Sequence, residues 1–225
     1  FPTRRSSDLY RPSISRVRFG HARHLFSLGV IFFVIQVAAI IQYQTANIII
    51  ARNFGTADVT AYNVVYRYFG IPYMFYLIFL TPFWSASTEA FQKQDFQWIN
   101  NSMRRYNQLN MLISIGCLTM LVFAGPFYEL WLGEGKVPVT FALSLWGFIY
   151  YLVLMYGSKY VYFLNGISAL RIQFIASVIS PFLYVATVMV LIKWFKLGVH
   201  SLFISSVIAN FNAFIIAPLQ YHMIM

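Results

Sequence analysis

Six long apolar runs, separated by short polar breaks, dominate this sequence. The hydrocarbon core of a bilayer is about 30 Å thick and takes roughly 20 apolar residues per spanning helix. Leu25 to Ala51, Ala61 to Ala90, Leu109 to Trp131, Val139 to Leu164, Ile172 to Trp194 and Leu202 to Tyr221 each reach that length. Such runs exceed the roughly ten residues of a barrel strand, and a helix satisfies its backbone hydrogen bonds within the segment. The expectation is an all-α fold, a polytopic membrane protein built as a bundle of about six transmembrane helices. Of the 225 residues only 10% are charged, against about 25% in an average soluble domain. Too little polar surface is then available to cover a soluble fold, so soluble and disordered classes are excluded.

The net charge of +10 is unevenly spread. With a cytoplasmic N-terminus, Arg4, Arg5, Arg11, Arg16, Arg18, Arg23, Lys93, Arg104, Arg105 and Arg171 fall inside, and Arg52, Lys136, Lys193 and Lys196 outside. Cytoplasmic loops carry the excess of Lys and Arg, so both termini are expected in the cytoplasm. The charge therefore reports topology, not nucleic-acid binding. Residues 1–9, FPTRRSSDL, match the translation of a common sequencing adapter and are expected to be foreign to the protein. Residues 10–24 are expected to form a basic cytoplasmic segment, and 25–225 the six-helix lobe.

The breaks carry turn chemistry. Gly55 and a candidate Asp58 N-cap separate the first two runs. Gly133 to Pro138, Asn165-Gly166 and Lys196 to Gly198 separate later ones. Pro72, Pro82, Pro126 and Pro181 lie inside apolar runs and are expected to kink their helices. The longest polar connection is 91–108, FQKQDFQWINNSMRRYNQ. As a helix it gathers Phe91, Phe96, Trp98, Ile99 and Met103 on one broad face, the pattern of an amphipathic helix on the membrane surface.

Ionisable and amide side chains inside spanning helices are costly, which makes them functional candidates. Gln36, Tyr43 and Asn47 share one face of the first run, with Gln42 and Gln44 beside them. They either line a watery cavity or bond between helices. Arg67 follows Asn63 by four positions on the second run. Two readings stay open for Arg67: a cavity cation that holds a phosphate, or an interfacial residue whose head reaches water. Lys159 is expected to snorkel. Glu89, near the cytoplasmic end of the second run, is a candidate gating residue, or an ordinary interfacial carboxylate. Cys117 sits in an apolar run and reads as packing. His21 and His24 lack a third ligand, and the six acids are scattered, so neither a metal site nor an enzyme is expected. No cofactor is expected, and a coupling ion is left open.

The run Leu28–Gln36, then Gln44–Ile50, then Val59–Asn63, then Thr81–Ala86 with Thr88–Ala90, resembles the bacterial oligosaccharide flippases. These are the Wzx-like polysaccharide exporters of the multidrug/oligosaccharidyl-lipid/polysaccharide superfamily. The closing Ala217–Tyr221 is similar as well. The family often has Asp where this chain has Ala46, so no charge-dependent role is expected there. The resemblance implies two six-helix lobes around a central cavity, with this chain as the second lobe and an N-terminal lobe as its partner. It implies an inner-membrane protein that moves undecaprenyl-diphosphate-linked oligosaccharide between leaflets by alternating access. It points to Gln36, Tyr43, Asn47, Asn63 and Arg67 as substrate contacts. Two alternatives remain at this level. A multidrug and toxin exporter of the same superfamily predicts intramembrane acids, which are nearly absent. A membrane-embedded glycosyltransferase or polymerase predicts a large catalytic loop, which the 91–108 connection does not supply.

Overall fold

The structure is a computed structural model that describes residues 19–133 and 135–225, without the side chains of 19–25, 27 and 28. The adapter-like segment 1–9 lies outside the described residues. So do residues 10–18 of the basic segment, and with them the side chains of His21, Arg23 and His24.

Eight α-helices are described: α1 (Phe19–Asn53), α2 (Thr56–Gln92), α3 (Phe96–Val122), α4 (Ala124–Leu132), α5 (Phe141–Gly166), α6 (Arg171–Lys193), α7 (Ser201–Ala209) and α8 (Ala217–Ile224). A π-helical turn, Asn212–Ile216, joins α7 to α8. Four helices (α1, α2, α5 and α6) are each long and apolar enough to cross a membrane. Counting each of two bent pairs as one span brings the total to six: α3 with α4, bent by 65°, and α7 with the Asn212–Ile224 stretch, bent by 44°. The chain is thus a multi-pass helical membrane protein. Phe33, Ile41, Phe75, Met111, Phe182 and Leu219 are exposed, as lipid-facing side chains should be.

α2 and α5 pack most extensively on each other and form the centre. α1 lies against α2 and α6, while α3 lies against α2 and α5. Two apolar clusters stack along the α2–α5 pair. One gathers Ile50, Val65, Phe69, Leu143, Val188 and Phe203. The other gathers Leu80, Phe83, Ile99, Met155, Phe163 and Leu164. Small residues set the helix spacing, as packing between membrane helices requires. A methyl group on Gly157 would stand 2.4 Å from the Ala213 carbonyl oxygen, and one on Gly147 would stand 2.4 Å from Val65 Cγ1.

Each bend leaves backbone carbonyls without a helical partner, and there is no water in the bilayer core to bond them. Side chains take the place of water. Tyr68 Oη donates to the Met120 carbonyl (2.9 Å) just before the α3–α4 bend. Ser180 Oγ donates to the Ala209 carbonyl (2.6 Å) at the end of α7. Pro82 removes one donor from the interior of α2. Close to it, Tyr106 Oη bonds the Phe79 carbonyl at 2.8 Å.

Two expectations change. Asp58 lies in the first turn of α2 and does not cap it, because the helix already starts at Thr56 after Gly55, whose φ is 119°. The 91–108 stretch is not a separate surface helix. α2 runs on to Gln92, the chain turns through Gln94 in the left-handed region (φ 57°), and α3 begins at Phe96 and continues unbroken to Val122. Asp95 caps that start by accepting from Trp98 N at 2.9 Å. Of the apolar face, Ile99 and Met103 are buried while Phe96 and Trp98 stay exposed.

Gly157→Ala should therefore destabilise the bundle by about 1–3 kcal/mol, because the Ala213 backbone cannot swing aside. Thermal unfolding of the purified protein in detergent measures this, and an unchanged Tm would mean that α5 and the π-turn sit farther apart.

Candidate functional site

The polar residues of the first two helices meet. Tyr43 Oη donates to Asn63 Oδ1 at 2.8 Å, and Asn63 Nδ2 donates to Asn47 Oδ1 at 2.9 Å. Asn63 Nδ2 also reaches the Val59 carbonyl of its own helix at 2.8 Å. This clasp ties α1 to α2. Tyr43 and Asn47 are four residues, about one turn, apart on one face of α1, so a single Asn on α2 engages both.

Beside the clasp lies a cavity of ≈ 140 Å³ whose lining includes Gln42, Tyr43, Tyr62, Tyr66, Tyr150, Tyr184, Ser206 and Asn210. A second, of ≈ 330 Å³, is lined by Gln36, Gln42, Tyr73, Ser158, Tyr162, Ser177, Ser180, Asn210 and Asn212 among others. Ala39, Gln42 and Asn210 line both, so the two form one cleft between α1, α2, α5, α6 and α7. Tyrosine rings build the wall of the smaller part. The Tyr66 ring lies 5.0 Å from Tyr43 and 6.3 Å from Tyr150, and Tyr62 stacks on Phe203 at 4.6 Å.

Hydrogen-bond directions follow from the proton inventory. Ser158 Oγ gives its proton to the Leu154 carbonyl at 2.7 Å, so Tyr73 Oη donates to Ser158 across 3.0 Å. Ser180 gives its proton to the Ala209 carbonyl. Its 3.3 Å contact with Gln42 is then best made by the Gln42 amide NH2, with the amide turned over.

Residues 8–138 match the family described as polysaccharide biosynthesis protein. The chain belongs to that family. It is also similar to a Salmonella typhimurium protein named "Putative O-antigen transporter", at 24% identity over 148 residues, which is 64% of this chain and 34% of the relative. The matched region spans about a third of that relative's length. No solved structure shows a significant match.

For this polysaccharide biosynthesis family member, the positions expected from sequence separate into two sets. Tyr43, Asn47 and Asn63 form the clasp, and Gln36 is exposed and lines the larger cavity. Arg67 is exposed, one turn along α2 from Asn63, and lines neither cavity. Glu89 is exposed and pairs with Lys93, four residues on, at 2.5 Å. That pair lies within one helix end, so it links no two elements, and exposed pairs of this kind add little stability.

Several cleft residues were not singled out from sequence: Tyr62, Tyr184, Ser180, Ser206, Asn210 and Asn212. The signal was present as polar residues at helical spacing in the last two runs, Ser177 with Ser180 and Ser206 with Asn210. Lys159 corrects an expectation outright. It does not snorkel but is fully buried. Its Nζ bonds the Tyr156 carbonyl at 2.8 Å and faces the Tyr156 and Tyr160 rings at 4.2 and 4.6 Å. Those rings supply the negative faces that usually come from water or a carboxylate.

Two outcomes follow. In a double-mutant cycle on thermal stability, Tyr43→Phe and Asn63→Ala should couple by about 0.6–1.7 kcal/mol, the range of bonds between membrane helices. Strict additivity would show that the clasp does not form. Lys159→Met should raise the Tm, since replacing a buried charge by an apolar chain of similar volume is neutral to stabilising. A fall of several degrees would show that the two ring contacts outweigh desolvation.

Proposed function

We propose that this chain is one lobe of a flippase that carries undecaprenyl-diphosphate-linked oligosaccharide across the bacterial inner membrane for surface polysaccharide synthesis. The supporting observation is a polar cleft inside a multi-pass bundle whose sequence belongs to a polysaccharide biosynthesis family. The name of the Salmonella relative agrees with transport of such a glycan. The preceding lobe is the partner needed to close the cavity, and both ends of this chain face the cytoplasm. Transport proceeds by rocking of the two lobes around a midplane site.

In this reading Arg67 holds the diphosphate. It is exposed, so its guanidinium can make bidentate bonds to phosphate oxygens, and it stands one turn from the Asn63 clasp. Gln36 contacts the substrate from the cleft wall. Tyr43, Asn47 and Asn63 contact it where the clasp borders the cleft. Glu89, near the cytoplasmic end of α2, is the gating residue in this reading. The cleft lining has no carboxylate, which disfavours export of cationic drugs.

Deleting the gene should trap lipid-linked glycan in the inner leaflet and remove surface glycan. The Arg67→Ala protein should restore export at least 10-fold less well than wild type at equal membrane abundance. Normal surface glycan in the deletion strain would overturn the flippase reading. Full export by Arg67→Ala would overturn only the role of that residue.

A further inference from the structure

Among the described residues, the cleft that joins α1, α2, α5, α6 and α7 is lined without a single charged side chain. Its inventory is aromatic faces, hydroxyls and amides set among aliphatic side chains, Ile35, Leu154 and Val161 with several alanines. Two of the nine buried side-chain atoms without a close hydrogen-bond partner among the described residues are on its wall: Asn212 Oδ1, and Tyr184 Oη, which has only a weak interaction with the Ser206 hydroxyl. Buried polar groups are almost always bonded, so each such exception asks what it bonds to.

We propose that this cleft is a subsite for an uncharged sugar ring of the transported glycan. The proposal rests on the flippase reading and adds to it which part of the substrate sits where. A pyranose has an apolar C–H face and a rim of hydroxyls. Tyr66 and Tyr150 offer ring faces to the first. Gln42, Tyr184, Asn210 and Asn212 offer donors and acceptors to the second. A diphosphate does not fit this lining, because phosphate oxygens are recognised by charge-assisted donors such as Arg. Arg67 lies outside the cleft. An apolar drug would leave Tyr184 and Asn212 unsatisfied, and a cationic one would want a carboxylate. Sugar and diphosphate are thus read by separate surfaces of the same lobe.

The alternative occupant is water. Volumes of ≈ 140 and ≈ 330 Å³ hold several molecules, each needing two to four polar partners. The test separates the two. The intact protein is reconstituted in neutral-lipid nanodiscs. The probe is a radiolabelled neutral oligosaccharide, released by mild acid from the source cells' own lipid-linked glycan. Saturable binding is expected, with no competition from inorganic diphosphate. Asn210→Ala should weaken it at least 10-fold. Tyr184→Phe keeps the ring and removes only the unpartnered hydroxyl, so it should weaken binding several-fold without lowering Tm. Absence of sugar binding, equal binding by wild type and Tyr184→Phe, or displacement by diphosphate would each overturn the sugar subsite in favour of a water-filled or anion-binding cleft. Wild-type protein that binds the sugar but restores no export would count against the transport reading and leave the subsite standing.

Discussion

The constraint on which the architecture depends is that a backbone carbonyl inside a bilayer has no water to bond. Straight helices meet it alone. This chain bends two of its spans, and at each bend a side chain from another helix meets it: Tyr68 of α2 near the α3–α4 bend, Ser180 of α6 at the end of α7. Similar bonds run from Asn110 to the Met155 carbonyl and from Thr88 to the Gly166 carbonyl. Much of the polar content of the apolar runs is therefore structural. A hydroxyl in a membrane helix first has to be checked against the carbonyls around it before it is assigned to a substrate.

That bookkeeping also isolates what is left over. Ser180 is committed to Ala209, Ser158 to Leu154, and Asn210 Nδ2 to the Ser206 carbonyl. Tyr184 and Asn212 are uncommitted. The bend after α7 brings Asn210 and Asn212 to the cleft, so the break that costs backbone bonds also presents the amides. Packing and the lining of the cleft are coupled at this point: a straight last helix would carry its residues past the cleft at a different register.

The six apolar runs were legible because length and hydropathy alone decide which segments can cross a membrane. The first-helix face of Gln36, Tyr43 and Asn47 was legible because helical periodicity is reliable in such segments. The 91–108 stretch was only partly legible, because an amphipathic face suits both a bilayer surface and a helix packed on its neighbour. Ile99 and Met103 choose the second by packing with Phe83 of α2 in one cluster. Lys159 was misread because sequence shows a lysine near a helix end but not the two tyrosine faces folded over it. The cleft itself was only half legible, since it needs α5, α6 and α7 to converge on α1, and that convergence is a tertiary fact.

Where the charge sits follows from the same physics. A cation in the hydrocarbon region must be buried against a partner or reach an aqueous surface. Lys159 takes the first course and is closed off, so it cannot meet a phosphate without opening α5. Arg67 takes the second and remains exposed. The described lining of the cleft includes neither and is neutral. A neutral wall tolerates the passage of bulky polar groups better than a charged one, because neutral hydrogen bonds are weaker than charge-assisted ones and exchange with water at less cost. In the flippase proposed above, which has to release its glycan on the far side, several such bonds serve better than one strong ion pair.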